Sequence, residues 1–218
     1  MRAEARCALT LARGNATRPI RSALDVGCAT GDHAAHLQRA GVRDSNGLDL
    51  DRALLERARR KHPRVRFRSG DMVKAPLGRR FDAVFAFYGV VAYVRTPARL
   101  ALFAKNVARH LEPGGVAVIE PWHLAGKYVA TSTARHVVDA EIAIARASVS
   151  TVSRRQVRLE IQYLVARGGR IRHFSELHRL GLFSRSEHLD AFRAAGLETR
   201  WSRESPCGRG ALVAVKPD

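Results

Sequence analysis

A glycine-containing turn between a strand and a helix is the sequence feature that most restricts how this chain can fold. Residues 24–33 read LDVGCATGDH, with an apolar run before the turn and Gly27 and Gly31 four positions apart. Because glycine has no Cβ, the backbone can adopt positive φ and a ligand can approach it closely. The segment predicts an α/β fold with a ligand site at the carboxyl end of its first strand.

Apolar runs alternate with helical patterns through the first 120 residues. Strands are predicted over 20–28, 45–50, 65–69, 81–87 and 116–120. Helices are predicted over 2–12, 32–40, 52–61 and 96–111, the third capped by Asp51. This order predicts a Rossmann-like, doubly wound and mostly parallel sheet, with the almost wholly apolar strand 81–87 at its centre.

The remainder of the chain has a different pattern. Residues 137–180 alternate with a period of two and are interrupted by Gly168-Gly169, which predicts an antiparallel ribbon. A helix over 184–195, begun by a capping box, and strands over 198–202 and 211–215 follow. We therefore expect one domain over 1–218, with the ribbon 137–180 inserted as a cover after the fifth strand.

Composition excludes several classes of protein. Apolar residues make up 46% and charged residues 27% of the chain, which is typical of a globular domain. No apolar run approaches the roughly 20 residues of a membrane helix, and the three cysteines form no CxxC pair. We expect a cytoplasmic protein without a membrane anchor, a disulfide framework or a metal.

The net charge of +18 first suggests a nucleic-acid partner. However, 33 of the 38 basic residues are arginines, and they are spread along the chain rather than gathered in one arm. A generally basic surface explains the charge equally well. Nucleic acid therefore remains an alternative partner.

The spacing of the turn favours a nucleoside without phosphates. A dinucleotide site needs GxGxxG, whereas Gly27 and Gly31 are four apart, and Asp32 at the helix start would repel a phosphate. Asp49 ends the second strand, where an acidic residue binds ribose. Gly70-Asp71-Met72 follows the third strand, where Asp71 can accept from an adenine amino group and Met72 can contact the ring. We expect S-adenosylmethionine (SAM), whose sulfonium is positively charged.

The motifs resemble those of a known family. The segments LDVGCATGDH, GLDLD, SGDM, FDAVFAF and LEPGGVAVIEP resemble class I SAM-dependent methyltransferases. EPW, IRHFSELHRLGLFS and CGRGALVAV are similar to segments of the N,N-dimethyltransferases that act on nucleotide-linked aminosugars in macrolide pathways. This resemblance extends from about Ser22 to Val215.

The resemblance implies a set of cofactor-binding residues on the motifs. They are Asp25, Gly27, Gly31, His33, Asp49, Asp71, Met72 and Phe87. Family members also carry a longer N-terminal segment with a tyrosine that helps to close the site. Here 21 residues precede the first strand, so we expect this lid to be lacking.

The acceptor side is predicted from fewer signals. Methyl transfer requires an aligned, neutral amine, and Tyr93, at the family's His or Tyr position, is expected to orient it. His123 is a candidate base. The residues expected to bind substrate are Trp122, Arg172, His178 and Arg209, with the arginines suited to a diphosphate. His173 and His178 are five apart on the ribbon, so at most one faces the site.

Three functions remain open. The favoured one is N-methylation of a small-molecule amine, preferably a nucleotide aminosugar. A nucleic-acid methyltransferase is the alternative, although enzymes that methylate base amino groups usually carry Asn/Asp-Pro-Pro-Tyr where residues 87–91 read FYGVV. The third is a SAM-binding protein with little activity. A homodimer of this chain is also considered as an assembly.

Overall fold

Eleven strands form two separate sheets in the computed structural model, which describes residues 1–218. The first sheet contains β1 (Ser22–Val26), β2 (Asp44–Asp49), β3 (Arg66–Ser69), β4 (Phe81–Ala86), β5 (Leu111–Ile119), β10 (Glu198–Ser202) and β11 (Ala211–Val215). The second contains β6 (Ser132–Val138), β7 (Ile142–Ser153), β8 (Gln156–Arg167) and β9 (Arg170–Gly181). The helices are α1 (Arg2–Arg13), α2 (Asp32–Arg39), α3 (Arg52–Lys61), α4 (Pro97–His110) and α5 (Arg185–Arg193).

The first sheet has the predicted doubly wound topology. Its strand order is β10-β11-β5-β4-β1-β2-β3, with β11 antiparallel to both of its neighbours and the other six strands running in one direction. Every residue of β4 is buried, as expected for the central strand. Helices α4 and α5 cover one face, where Phe103 and Phe192 meet edge to face, and α1 covers the other. The strand order reverses between β1 and β4, which places a ligand site at their carboxyl ends.

Local sequence signals set the helix boundaries. The Asp51 carboxylate accepts hydrogen bonds from the backbone N–H groups of Ala53 and Leu54, so it caps α3 as predicted. Ser184 and Glu187 form the predicted capping box of α5. Helix α4 ends one residue earlier than predicted, because β5 already begins at Leu111 and bulges before pairing with β4 again.

The second sheet confirms that the inserted segment is an antiparallel ribbon. It begins at Ser132 rather than at residue 137 and ends at Gly181 rather than at residue 180. The two ends of the inserted segment lie side by side. Leu124 and Phe183 form a β-bridge, and the Ala125 N–H donates to the Phe183 carbonyl (3.0 Å).

A 3-10 helix over Val90–Val94, which the sequence did not predict, joins the two sheets. It follows Gly89, whose φ is +72°. The backbone of Trp122 is so close to Gly89 that an added Cβ would lie 2.3 Å from the Trp122 Cα. Ala92 from this helix packs with Leu180 from β9. The 3-10 helix therefore fixes the second sheet above the carboxyl ends of β1 and β4. No helix in the structure is long and apolar enough to cross a membrane.

Candidate active site

A cavity of about 720 Å³ lies between the carboxyl ends of the first sheet and strand β9. We call it the main cavity. Its lining residues are Gly27, Ala29, Leu48, Asp49, Leu50, Asp51, Leu54, Gly70, Asp71, Met72, Val90, Tyr93, Glu176, Leu177 and His178. The structure thus brings together the turn after β1, the ends of β2 and β3, the 3-10 helix and the second sheet.

The lining of the main cavity has a charge opposite to that of the whole chain. Four of its residues are carboxylates, namely Asp49, Asp51, Asp71 and Glu176, and none is a lysine or an arginine. The whole chain, in contrast, carries a net charge of +18. Carboxylates at the mouth of a cleft favour a cationic ligand and disfavour a phosphate backbone. The cavity therefore suits a sulfonium or an ammonium group.

The two glycines of the turn have different roles. Gly27 has φ +71° and lies in the lining, and a Cβ there would be 2.2 Å from Val90 Cγ2. Gly31 has φ +77° and precedes α2, but a Cβ there would be 2.4 Å from the Phe67 ring, away from the lining. Gly27 is thus required next to the ligand, whereas Gly31 is required for helix packing.

Two predicted carboxylates face the main cavity at the ends of β2 and β3. Asp49 accepts from the Ala29 N–H through Oδ2 (2.8 Å) and from the Asp51 N–H through Oδ1 (2.9 Å). Asp71 accepts from the Val73 N–H (3.0 Å), and its other oxygen lies 3.3 Å from the Arg99 guanidinium. These bonds hold the carboxylates in place, so that their remaining lone pairs are oriented toward a ligand.

Asp25 is buried immediately before the turn. Its Oδ2 has no hydrogen-bond partner, and its burial, with the charge of Asp49 acting in the same direction, raises its pKa well above the usual value. Burying a carboxyl oxygen without a partner costs free energy unless a hydrogen-bond donor or a cation binds it. Asp25 lies outside the lining of the main cavity, so its role at the cofactor stays a prediction. Leu50, which is 71% exposed, adds an apolar side chain to the lining.

His33 and Phe87, both predicted to bind the cofactor, lie outside the lining of the main cavity. Their rings stack at 4.3 Å and 13° on the side of the sheet covered by α1. The Nε2 atom of His33 has no hydrogen-bond partner, and burial lowers the pKa of this histidine to about 4. Their role at the cofactor remains a prediction, because the structure places them behind the turn.

The lowered pKa of His33 predicts loss of stability in acid. The unfolded chain protonates His33 below about pH 6.5, whereas the native state protonates it only below about pH 4. The free energy of unfolding therefore falls as the pH is lowered from about 6.5 to about 4. The loss is at most about 3 kcal/mol. We expect His33→Phe to reduce the acid dependence of the melting temperature. His136→Phe, at an exposed position on β6, is the control, and equal acid dependence in both variants would contradict the assignment.

A line of hydrogen-bonded side chains borders the main cavity on the side of the second sheet. The Tyr93 hydroxyl lies 2.8 Å from His178 Nδ1, and His178 Nε2 lies 3.3 Å from Glu176 Oε2. The Tyr163 hydroxyl is 3.4 Å from the same Glu176 oxygen. Burial, and then the charges of Glu176 and Asp49, raise the pKa of Tyr93, which keeps its phenol protonated.

The other predicted acceptor-side residues lie outside the lining. The Trp122 ring contacts the rings of His123 (4.9 Å) and Tyr128, and burial lowers the pKa of His123. Arg209 donates to the Trp122 carbonyl (2.8 Å). Arg172 is exposed on β9, on the same face as His178 but further from the first sheet. Their contacts with a substrate stay predictions.

Sequence reasoning did not select Glu176 or Glu120. Glu176 is two residues before His178 on β9, and this spacing alone could have placed both on one face. Glu120 follows β5, is buried, and accepts from the backbone N–H groups of Tyr88 (3.1 Å) and Cys207 (2.8 Å). It therefore joins two loops at the carboxyl edge of the sheet. The structure contains no group of three or more histidine, cysteine or acidic side chains that could hold a metal ion.

The fold and the cavity agree with the match to a family of known proteins. The sequence profile described as "Methyltransferase domain" matches residues 23–115, which include β1–β4 and the glycine turn. The doubly wound sheet and the cation-adapted cavity at its switch point define a SAM-dependent methyltransferase of class I.

Individual relatives match most of the chain. The dTDP-3-amino-3,4,6-trideoxy-alpha-D-glucopyranose N,N-dimethyltransferase of Streptomyces venezuelae is 37% identical over 91% of this chain and 84% of that protein. The crystal structure of Streptomyces venezuelae DesVI has a TM-score of 0.92 at 36% identity, covering 100% of this chain and 92% of that one. SAM-bound CalS10, an amino pentose methyltransferase from Micromonospora echinaspora, has a TM-score of 0.85 at 35% identity, covering 98% and 91%.

These similarities over nearly the full length establish the family. The chain belongs to the sugar N,N-dimethyltransferase family of SAM-dependent enzymes. The prediction from the sequence motifs is therefore confirmed, and with it the fold class and the cofactor.

Proposed function

We propose that this chain transfers methyl groups from SAM to the amino group of a dTDP-linked aminosugar. The observation that carries the proposal is the main cavity, which is lined by carboxylates in a strongly basic chain and is bounded by Tyr93 and His178 of the acceptor side. The named relatives act on amino groups of such sugars, or of a pentose, which supports this class of acceptor.

The cofactor would be held by the first-sheet half of the main cavity. Asp49 would accept from the ribose hydroxyls, Asp71 would accept from the adenine amino group, and Met72 would contact the ring. The Gly27 turn and the buried carboxyl of Asp25 would surround the methionine end. When bound, SAM supplies an electrophilic methyl group on a positively charged sulfur.

The protein's own contribution is mainly positioning. A displacement at the methyl carbon needs the amine lone pair aligned with the methyl–sulfur bond, and little acid–base chemistry beyond a neutral amine. The second sheet covers the cavity and limits the access of water, while Tyr93 would orient the amine. Arg172 and Arg209 stay our candidates for the diphosphate, since guanidinium groups suit phosphate oxygens.

A direct assay tests the proposal. We expect transfer of labelled methyl from SAM to dTDP-aminosugars, with two mass increments per acceptor, and none to total RNA. Label found only in RNA would instead establish the nucleic-acid alternative. SAM binding without turnover on aminosugars or other small amines would establish the third function, a binding protein without activity.

We also propose that the chain forms a homodimer through the second sheet. Four large exposed apolar residues, Val138, Val149, Leu164 and Ile171, share the face of the second sheet opposite His178, and β6 has one edge without a paired strand. A second copy would cover this surface by a twofold axis. Sedimentation should give a dimer that Val138→Glu and Ile171→Glu, on the same face, together dissociate. A wild-type monomer at micromolar concentration would refute this assembly.

A further inference from the structure

Three hydrogen-bonded side chains from the 3-10 helix and the second sheet form a line along the lining of the main cavity, which ends at the exposed Glu176. Tyr93 is in the cavity lining, with its hydroxyl 2.8 Å from His178 Nδ1. His178 Nε2 lies 3.3 Å from Glu176 Oε2. The His178 side chain is 26% exposed and that of Glu176 is 51% exposed. Tyr93 is 44% exposed, and Glu176, at the end of the line, has the most open side chain of the three.

The fold aligns these three residues from two separate elements. Glu176 and His178 are two positions apart on β9, so they share one face of the second sheet, where they oppose Ile161 and Leu159 of β8. Tyr93 comes from the 3-10 helix below that face. His173, five positions from His178, lies on the opposite face and is bonded to Gln162 (2.7 Å).

The proposed chemistry requires that protons leave the cavity. An amine that accepts a methyl group becomes an ammonium, and it cannot accept a second one until it has lost a proton. The four carboxylates of the lining hold a cationic amine in its protonated form, which opposes that loss. Dimethylation in this acidic cavity therefore needs a defined route by which the proton can leave.

We propose that Tyr93, His178 and Glu176 form a proton relay that deprotonates the acceptor amine between methyl transfers. This inference rests on the proposed function. The substrate ammonium gives a proton to the Tyr93 oxygen as the Tyr93 hydroxyl proton moves to His178 Nδ1. The resulting imidazolium is stabilised by the Glu176 carboxylate. Its Nε2 proton leaves by way of Glu176 to water, and exchange with water restores the starting tautomer.

The groups that surround His178 fit this direction of transfer. Because Tyr93 is protonated, it donates to Nδ1, and this leaves Nε2 as the protonated nitrogen that points to Glu176. Tyr163 contacts the same Glu176 oxygen, and Asp49 is the acidic neighbour of Tyr93 across the cavity. No lysine or arginine is in the lining to oppose a charged imidazole.

The pH dependence of His178→Gln distinguishes a relay from a structural role. We expect kcat/KM for the aminosugar to fall about 100-fold near pH 7 and to recover toward the wild-type value near pH 10, where the amine is already neutral. Singly methylated product should accumulate at pH 7. Tyr93→Phe should behave in the same way. His173→Gln, on the same strand but the opposite face, should match the wild type at every pH.

Measurements on the free enzyme separate failure of the relay from failure of the proposed function. A ¹⁵N spectrum should show His178 with an unprotonated Nδ1 near neutral pH, and SAM affinity of His178→Gln should equal that of the wild type. A protonated Nδ1, or an equal loss of rate at all pH values, would overturn the relay even if the wild type dimethylates an aminosugar. A wild type that methylates another amine would overturn the proposed acceptor, and the same pH comparison with that amine would still test the relay.

Discussion

Asp49→Ala is expected to weaken SAM binding about 100-fold or more. The Asp49 carboxylate is the acceptor at the end of β2, and it also holds the N–H groups of Ala29 and Asp51, which border the same cavity. Hydrogen bonds to a charged group are each worth about 1.5–3 kcal/mol, so the loss should reach about 3 kcal/mol of binding free energy. Isothermal titration calorimetry with SAM measures this change.

Two further variants separate ligand contacts from loop support. Asp49→Asn keeps one oxygen acceptor and should lose less affinity than the alanine variant. Asp190→Ala, at an exposed position on α5, should bind SAM like the wild type. Undiminished affinity in Asp49→Ala, with the chain folded, would show that the ribose end of the ligand lies elsewhere.

Gly89→Ala is expected to destabilise the protein by about 3 kcal/mol or more. Gly89 has φ +72°, and an added Cβ would lie 2.3 Å from the Cα and 2.6 Å from the backbone nitrogen of Trp122. Positive φ and a clash with backbone atoms each cost roughly 1–3 kcal/mol, because backbone cannot rotate away as a flexible side chain can. A thermal melt should show a decrease of roughly 10 °C for a domain of this size.

Gly78→Ala is the matched control for this prediction. Gly78 has a similar φ of +67°, but nothing lies within 4 Å of the position of its added Cβ. Its substitution should cost only the conformational part, about 1–2 kcal/mol. If Gly89→Ala and Gly78→Ala have the same melting temperature, the close approach of Gly89 to Trp122 does not hold the 3-10 helix in place.

The first sheet was predictable because its signals are local in the chain. An almost wholly apolar run such as 81–87 is typical of a strand buried on both faces. The caps Asp51 and Ser184 mark helix starts through contacts within three residues. Gly27 was predictable for the same reason. The turn requires its positive φ, and the neighbouring sequence shows the turn.

The acceptor side was less predictable because its geometry comes from distant parts of the chain. Tyr93 and His178 are 85 positions apart, and they meet only because the second sheet folds back over the 3-10 helix. For His33 and Phe87, proximity in the sequence does not translate into a place in the cavity lining. Both are next to motif residues in the sequence, but their side chains point behind the turn. The net charge of +18 also gave no indication that the cavity itself is lined by carboxylates.

The bridge between Leu124 and Phe183 brings the two chain connections of the second sheet side by side, so that residues 125–182 form one inserted unit, which we call the cassette. Because its two ends are already adjacent, strands can be lengthened, shortened or exchanged there at little extra cost in loop-closure entropy to the SAM-binding half. Acceptor preference can therefore diverge within the cassette while the cofactor half is preserved. Chimeras that exchange residues 125–182 between related sugar methyltransferases are the natural way to transplant one acceptor preference onto another enzyme.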